Sequence, residues 1–376
     1  MKRQPDIIVV RTPSGSFDKW ESLRIVNDIT SPTEAIFTIG DDGVWRELKD
    51  LVQPGGEFEV LLNGRPRLKG RAEVNELPMS ASSGTVLSLT VRTKLSDARY
   101  ASARPEVKVE QTSIKDFILE VYAPLGYTEK DFYFGENSFV ARDLITGVAA
   151  GAAPPEDFEA IKVDQAKVQP PETIYEAVER HLKRYGATQW DGPTGQIIIG
   201  RPDDEQPPLY RLISKRNSDG NNILTCRKTA DWSEVPREIS MYGASAGQSA
   251  AKQSMRGTVT NPTVQAVYDA TGHFNRIVIL PTQQGKDQQQ VDRMAQREMS
   301  ARIRRQDAYE VTADGWTYWD GEKHIPWANN TTTDIEVDTI GGPQGRYLIV
   351  KVELAMSSST GTTSTMQLVA PGIWVI

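Results

Sequence analysis

The sequence is poor in the residues that catalysis and metal binding most often require. It has one cysteine and three histidines among 376 residues. A single cysteine excludes an intramolecular disulfide and is typical of a chain that folds in a reducing compartment. Cys226 stands beside Leu224, which predicts a buried, unreactive thiol. No histidine pair has the spacing of a zinc site, and no serine has a histidine partner at a readable distance. We therefore predict no catalytic residue, no metal site and no cofactor.

Long apolar runs are also missing. None approaches the roughly 18 residues of a transmembrane helix, so no membrane segment is expected. The charged start, residues 1–6, is not followed by the apolar core of a signal peptide. The net charge is −7, from 50 acidic and 43 basic residues. This balance argues against binding DNA by neutralising its phosphates, but it permits a passage through which DNA slides without adhering.

What is present is a series of short strands interrupted by a few helices. The content, 38% hydrophobic and 25% charged residues, is enough to bury several cores, and the length predicts two to four domains. Within residues 1–103, strand-like segments surround Asn63-Gly64, a strong hairpin signal. Short strands at this spacing indicate a small β-barrel.

Three segments have helical periodicity instead. One begins at Thr112-Ser113, a second spans Glu172 to Tyr185 and ends at Gly186, and a third spans about Gln288 to Arg305. The third carries a run of arginines, for which a solvated helix face is the favoured interpretation, with contact to an acidic neighbour as the alternative. Residues 135–171, rich in Ala, Gly and Pro, predict a long exposed excursion.

The last sixty residues alternate most regularly. Ile335 and Val337 share one face of a predicted strand, and Asp334, Glu336 and Asp338 share the other. This spacing is too wide for a metal cage and predicts a solvated or lumen-facing acidic surface. The apolar tail ends the chain with Ile373, Trp374, Val375 and Ile376. We expect it to dock on its own subunit or, alternatively, to insert between subunits or beneath a partner.

The fold class predicted is α+β, β-rich and multidomain, with two small β-barrel domains and smaller α/β domains. The predicted divisions are a first barrel over 1–103, an α/β domain over 104–202 with the exposed insertion, a second barrel formed by 203–255 together with 335–376, and an inserted α+β domain over 256–334.

The order of these pieces resembles the baseplate hub proteins of contractile-tailed phages, the group of the Mu-type tail protein and the T4-type hub. Four stretches carry the resemblance: the first barrel with Asn63-Gly64, the helix Glu172–Tyr185 leading through Trp190 to Ile197–Pro202, Asn222–Leu224 running on to Ile239–Gly243, and the segment Trp316–Pro371. Together they span nearly the whole chain. They are structural rather than chemical motifs.

The resemblance implies a structural protein without enzymatic activity. It implies a homotrimeric ring in the virion tail baseplate, assembled in the host cytoplasm. The implied partners are the tail tube protein on one side, the central spike or tail lysozyme-type protein on the other, and further baseplate proteins. DNA would pass through the lumen without specific binding.

Two alternatives remain open at this point. One is the hub of a contractile secretion or injection system. In such systems hub and spike are commonly fused, and we find no spike repeat before residue 376, which favours the phage arrangement. The other is a secreted carbohydrate-binding β-protein, which is expected to have a signal peptide and a cleft with paired carboxylates or aromatic platforms.

Overall fold

The chain folds into one large branched β-sheet to which two smaller α/β units are attached. The computed structural model describes residues 6–13, 15–18, 20–40, 55–76, 79–80, 84–134, 143–148, 162–217, 220–229, 232–243, 255–282, 288–306, 308–339, 342–357 and 361–371. Among these residues, no helix is long and apolar enough to span a membrane.

The first part of the chain forms strands only. They are β1 (Ile8–Thr12), β2 (Gly15–Phe17), β3 (Ser22–Asp28), β4 (Ser31–Gly40), β5 (Glu57–Leu62), β6 (Arg65–Glu76), β7 (Met79–Ser80) and β8 (Gly84–Arg92). Asn63 and Gly64 join β5 to β6 with φ angles of 50° and 78°, and Leu62 faces Arg65 across the turn. Two consecutive positive φ angles belong to the type I′ hairpin, so the predicted hairpin is confirmed.

The next part alternates helices with short strands. They are α1 (Lys94–Tyr100), β9 (Lys108–Ser113), α2 (Ile114–Tyr122), β10 (Phe132–Phe134), β11 (Lys162–Lys167), α3 (Ile174–Leu182), β12 (Thr188–Asp191) and β13 (Ile197–Gly200). Helix α3 begins two residues later than predicted, because Thr173 is its N-cap and forms a capping box with Glu176. A 3-10 turn continues it to Gly186, whose φ of 70° is the left-handed conformation expected of a terminating glycine.

The remaining elements continue in this order: β14 (Tyr210–Ser214), β15 (Ile223–Thr229), β16 (Glu238–Gly243), β17 (Met255–Thr260), α4 (Pro262–Thr271), β18 (Ile277–Thr282), α5 (Gln288–Gln306), β19 (Ala308–Asp314), β20 (Thr317–Trp319), β21 (His324–Pro326), β22 (Thr331–Val337), β23 (Gln344–Ser357) and β24 (Gly361–Val369). The predicted alternation of the last strands is confirmed, since Ile335, Val337, Val352, Leu354 and Leu368 are all buried.

Strand β23 joins the two ends of the chain. Its first half pairs with β22 and its second half with β3, while β24 pairs along its other edge. The described sheet therefore runs β15-β19-β24-β23-β3-β4-β8-β6-β5-β1-β2, with β14-β22 branching from β23. Residues from both ends share one core, in which Ile25 and Leu354 are fully buried. The sequence predicted two separate barrels. The described strands instead form one open, branched sheet, because alternation identifies the buried face of a strand but not its partner.

The α/β unit packs around α2 and α3. Its helices cover the sheet β10-β13-β12, and β9 pairs with β11. This pairing corrects the predicted excursion over 135–171. Lys162–Lys167 is a strand, and Ala166 and Val168 are buried, so the exposed part is shorter at its C-terminal end than expected. Residues 135–142 and 149–161 lie outside the described residues.

A second unit is inserted between β15 and β19. It contains the sheet β17-β16-β18 and helix α5, which packs Val291 and Ala295 against Met241. Gly257 permits this close approach, because a Cβ built there would lie 2.8 Å from the carbonyl oxygen of Val291. The predicted boundaries at 255/256 and 334/335 differ from this pairing: β16 belongs to the insertion, whereas β19 and β22 belong to the large sheet.

Candidate functional site

The three acidic residues predicted to share one face of the C-terminal strand lie on the side opposite its buried residues. Along β22, Ile335 and Val337 point into the core, whereas Asp334 is exposed and Glu336 is half-buried. Asp338, directly after the strand, is exposed as well. The strand lies between β14 and β23, so both of its edges are paired. The carboxylates of Asp334 and Glu336 therefore project from the middle of the sheet rather than from its border.

Basic side chains accompany these carboxylates on the neighbouring strands. Asp334 stands opposite Arg211 of β14 and Arg346 of β23. Glu336 is ion-paired with Lys215 and lies 3.6 Å from Arg211. The hydrogen bond from Lys215 is the main reason that the pKa of Glu336 is lowered. The surface is thus a ladder of alternating charges, which we call the β22 charge ladder: Arg211, Lys215, Asp334, Glu336, Asp338 and Arg346.

The apolar tail is the second predicted contact site. The described chain ends at Pro371, after β24 has buried Leu368 and Val369. Ile373, Trp374, Val375 and Ile376 lie outside the described residues. Their contact role stays a prediction.

Two clusters that join the units were missed by the sequence reasoning. In the first, Asp191 at the end of β12 is buried and its Oδ2 accepts hydrogen bonds from the backbone N–H of Thr33 and the hydroxyl of Thr93, both at 2.7 Å. Leu95 adds a backbone hydrogen bond, and burial raises the pKa of Asp191 to about 7. This carboxyl group fixes the α/β unit to β4 and to the start of α1.

The second cluster joins the inserted unit to the α/β unit. Arg297 of α5 contacts Glu179 of α3 at 3.0 Å and also donates to the carbonyl of Ala187. Thr188 donates to the same carboxylate. Burial raises the pKa of Glu179 and lowers that of Arg297. The solvated helix face favoured for the arginine run is therefore wrong for Arg297, whose side chain is only 20% exposed. The sequence alone does not indicate which arginine of the run pairs with a buried carboxylate.

Two of the three histidines pack against aromatic rings. His181 is buried and packs against Phe117, with 4.5 Å between ring centroids. His324 packs against Trp319 at 4.8 Å and contacts the hydroxyl of Thr317. In the described part of the chain, no three His, Cys, Asp or Glu residues are grouped so that they could hold a metal ion.

Among the described strands, β15 forms one border of the large sheet. It pairs with β19 along one edge, and its residues after Ile223 are exposed. Leu224 is 57% exposed, and Cys226 is exposed as well. The buried thiol predicted from the neighbouring leucine is therefore wrong. Leu224 and Cys226 belong to an edge strand of the described sheet, not to a core strand.

The similarity to known proteins covers nearly the whole chain. No family model matches. The baseplate hub protein gp44 of Escherichia phage Mu is 22% identical over 374 residues, which covers 96% of this chain and 87% of that protein. The tail protein from Neisseria meningitidis MC58 has the same fold, with a TM-score of 0.76, 18% identity and 99% and 98% of the two chains covered.

Two further structures are similar. The 43 kDa tail protein of prophage MuSo2 from Shewanella oneidensis aligns with a TM-score of 0.74 and 16% identity over 98% of this chain and 99% of that one. A type VI secretion component of E. coli, described as similar to T4 tail proteins gp27 and gp5, aligns with a TM-score of 0.54 and 8% identity over 98% and 78% of the chains. The resemblance predicted from the sequence is confirmed: over nearly its whole length the chain is similar to the Mu baseplate hub protein, and it shares the fold of two tail proteins.

Proposed function

We propose that this protein is the structural hub of a contractile phage tail, a trimeric ring that joins the tail tube to the central spike and surrounds part of the DNA passage. The observation that carries the proposal is the full-length similarity to the baseplate hub of phage Mu, together with the fold shared with two tail proteins. The protein acts through symmetry and surface complementarity rather than through chemistry.

A ring of three copies requires two different surfaces on each copy, because head-to-tail contacts around a threefold axis are heterologous. The large sheet supplies two unlike borders, the long exposed β15 and the short β2. An edge strand presents N–H and C=O groups that a soluble protein must cover or pair. We propose that β15 packs against the neighbouring copy, which removes this edge from water.

The single cysteine makes this contact testable. Cys226 is exposed on β15, so a maleimide reagent should label it quickly in a dissociated subunit. In the assembled ring we expect labelling to slow by at least about tenfold, as a buried contact excludes the reagent. A matched control places a cysteine at Ala270, an exposed position on α4, in a Cys226→Ser background. Equal protection at both positions, or none at Cys226 in a ring, would refute the β15 contact.

We propose that the β22 charge ladder faces the lumen. Three acidic and three basic side chains alternate there, so the surface has little net charge. DNA binding is driven by uncompensated Lys and Arg, and a balanced surface offers none. Replacing Asp334, Glu336 and Asp338 with Lys should therefore retard DNA ejection from particles that still assemble. Unchanged ejection kinetics would contradict the lumen position.

The apolar tail is proposed to insert between subunits or beneath the spike. Deleting residues 373–376 should then weaken the trimer or the complex with the spike, because a contact containing Trp374 is lost. Mass measurement and co-purification with the spike distinguish these two effects. An unchanged oligomer with unchanged spike binding would indicate that the tail docks on its own subunit.

The similarity to the type VI secretion component favours one second candidate, the hub of a contractile injection device that carries no genome. Purified particles separate the two functions. A phage hub should be found in DNA-filled, tailed virions, whereas the alternative predicts the same chain in sheathed particles without DNA. The test of the hub function common to both is co-purification of a ring with tube and spike proteins.

A further inference from the structure

Arg67 is a buried arginine without a hydrogen-bond acceptor among the described residues. It lies on β6, where the register with β5 shifts between the Val60–Leu68 and Leu61–Pro66 pairs, so that Arg67 is the additional residue of a bulge. Its side chain is among the largest fully buried ones, with 1% of the residue exposed. Nε and both terminal nitrogens have no hydrogen-bond partner within the described structure.

A second buried donor without an acceptor among the described residues is connected to Arg67 through Tyr210, which packs on its ring and acts electrostatically on Arg67. The Trp327 ring is buried and packs against Tyr210, with 4.6 Å between ring centroids. Its Nε1 also has no hydrogen-bond partner among the described residues. Trp316 provides the contrast, since its Nε1 donates to the carbonyl of Ala355 at 3.0 Å. The two indoles share one core, and within the described part of the chain only that of Trp316 has an acceptor.

The Arg67 side chain carries a positive charge in this buried position. Burial lowers the pKa of Arg67 to about 10, and Tyr210 partly offsets this effect. The guanidinium therefore remains protonated at neutral pH. No carboxylate of the described chain contributes to its stabilisation. The Tyr210 hydroxyl donates its proton to the carbonyl of Pro326 at 2.7 Å, so this proton is not available to a ligand.

A protonated guanidinium presents five N–H donors in a planar fork, and an indole adds one more. Buried donors are normally paired, and a buried cation without a partner is strongly unfavourable. The group that satisfies such a set is a compact anion with several lone pairs, such as a halide, nitrate or carboxylate ion.

We propose that Arg67 and Trp327 form an interior binding site for one small anion, between the β5–β6 hairpin and the loop that connects β21 to β22. The bound anion links two segments that are 260 residues apart in the sequence. The site belongs to a single subunit and does not depend on the proposed hub function.

Anion-dependent thermal unfolding tests this site. The wild-type protein is melted in sodium chloride, nitrate or acetate and in sodium gluconate, whose anion is bulky, at the same ionic strength. Above the dissociation constant, each tenfold increase of a bound anion should raise the melting temperature by about 2 °C, whereas gluconate should have no such effect. Arg67→Met should abolish the difference between anions, and Trp327→Phe should reduce it.

Arg24→Met is the matched control, because Arg24 forms an exposed ion pair with Glu353 at 2.8 Å. It should keep the full anion dependence. If Arg67→Met does not fold, Arg67→Lys keeps a charge but loses the fork and should weaken the dependence. Bromide added to crystals should give an anomalous peak within hydrogen-bond distance of the Arg67 guanidinium. Identical melting in all four salts, together with no peak at Arg67, would overturn the proposal.

Discussion

Asp191 gives this protein an unusual dependence of stability on pH. The carboxyl group is buried where β12, β4 and α1 meet, and it accepts hydrogen bonds from Thr33 and Thr93. Its pKa is about 7 in the folded protein, against 3.8 for an unperturbed aspartate. The perturbation that isolates this effect is Asp191→Asn, which has nearly the same shape and cannot ionise.

The sign follows from proton linkage. Because the folded state binds the proton more tightly than the unfolded chain, the stabilisation is fully present below pH 3.8 and is lost as the pH rises towards 7. Each pH unit in this window costs about 1.4 kcal/mol, so the whole effect is on the order of 4 kcal/mol. Most paired carboxylates act in the opposite direction, since their pKa values are lowered on folding.

Urea unfolding at several pH values measures the difference between the two proteins. Between pH 5 and pH 7, the wild type should lose about 2 to 3 kcal/mol of unfolding free energy relative to Asp191→Asn. Other titrating groups are common to both proteins and cancel. Trp190 is buried beside the substitution, so its fluorescence reports the local transition. Hydrogen bonds lost in the variant shift its stability equally at every pH. Parallel curves would refute the reasoning.

Three further substitutions test the packing, each measured by urea unfolding at fixed protein concentration. Arg297→Met should lower the unfolding free energy by about 3 to 5 kcal/mol because Glu179 is left buried without its cation. The double variant with Glu179→Met should recover much of this loss. Equal losses in the single and double variants would contradict a coupled pair. Gly257→Ala should cost about 1 to 3 kcal/mol through the clash with the backbone of α5, and an unchanged stability would mean that the helix can move away. Leu354→Ala should cost about 2 to 5 kcal/mol, since this fully buried residue lies where β23 meets β3; a loss below 1 kcal/mol would argue against that junction.

Local features were predictable from the sequence. Asn63-Gly64 specifies a turn through its backbone preferences, and Gly186 ends a helix for the same reason. The alternation around Ile335 and Val337 identified the buried face of β22, and with it the face that carries the acidic residues. Each of these signals lies within a few residues of its effect.

Long-range partners were not predictable in the same way. Nothing in β3 or β23 indicates that they pair across the length of the chain, and this one pairing changes two predicted barrels into a single branched sheet. The buried roles of Asp191, Arg297 and Arg67 were missed because a charged residue in a sequence suggests a surface. Burial depends on which segments the fold brings together, so an ion pair such as Glu179–Arg297 becomes visible only in three dimensions.

The domain boundaries depend on the same information. Strand pairing assigns β16 to the inserted unit and β19 to the large sheet. The sequence predicted β16 in the second barrel and β19 in the inserted domain. Limited proteolysis at the connections between the units would test these boundaries.

The central claim is a ring of three subunits, and the most direct test is the mass of the purified chain in solution by light scattering. The prediction is 125.4 kDa, three times the 41.8 kDa of one chain, with interfaces of more than about 2,000 Å² each. The measurement is repeated with the spike protein present, because a ring can require its partner to form. A mass of 125.4 kDa alone, or three chains per complex with the spike, agrees with the hub. A chain that remains at 41.8 kDa under both conditions contradicts it.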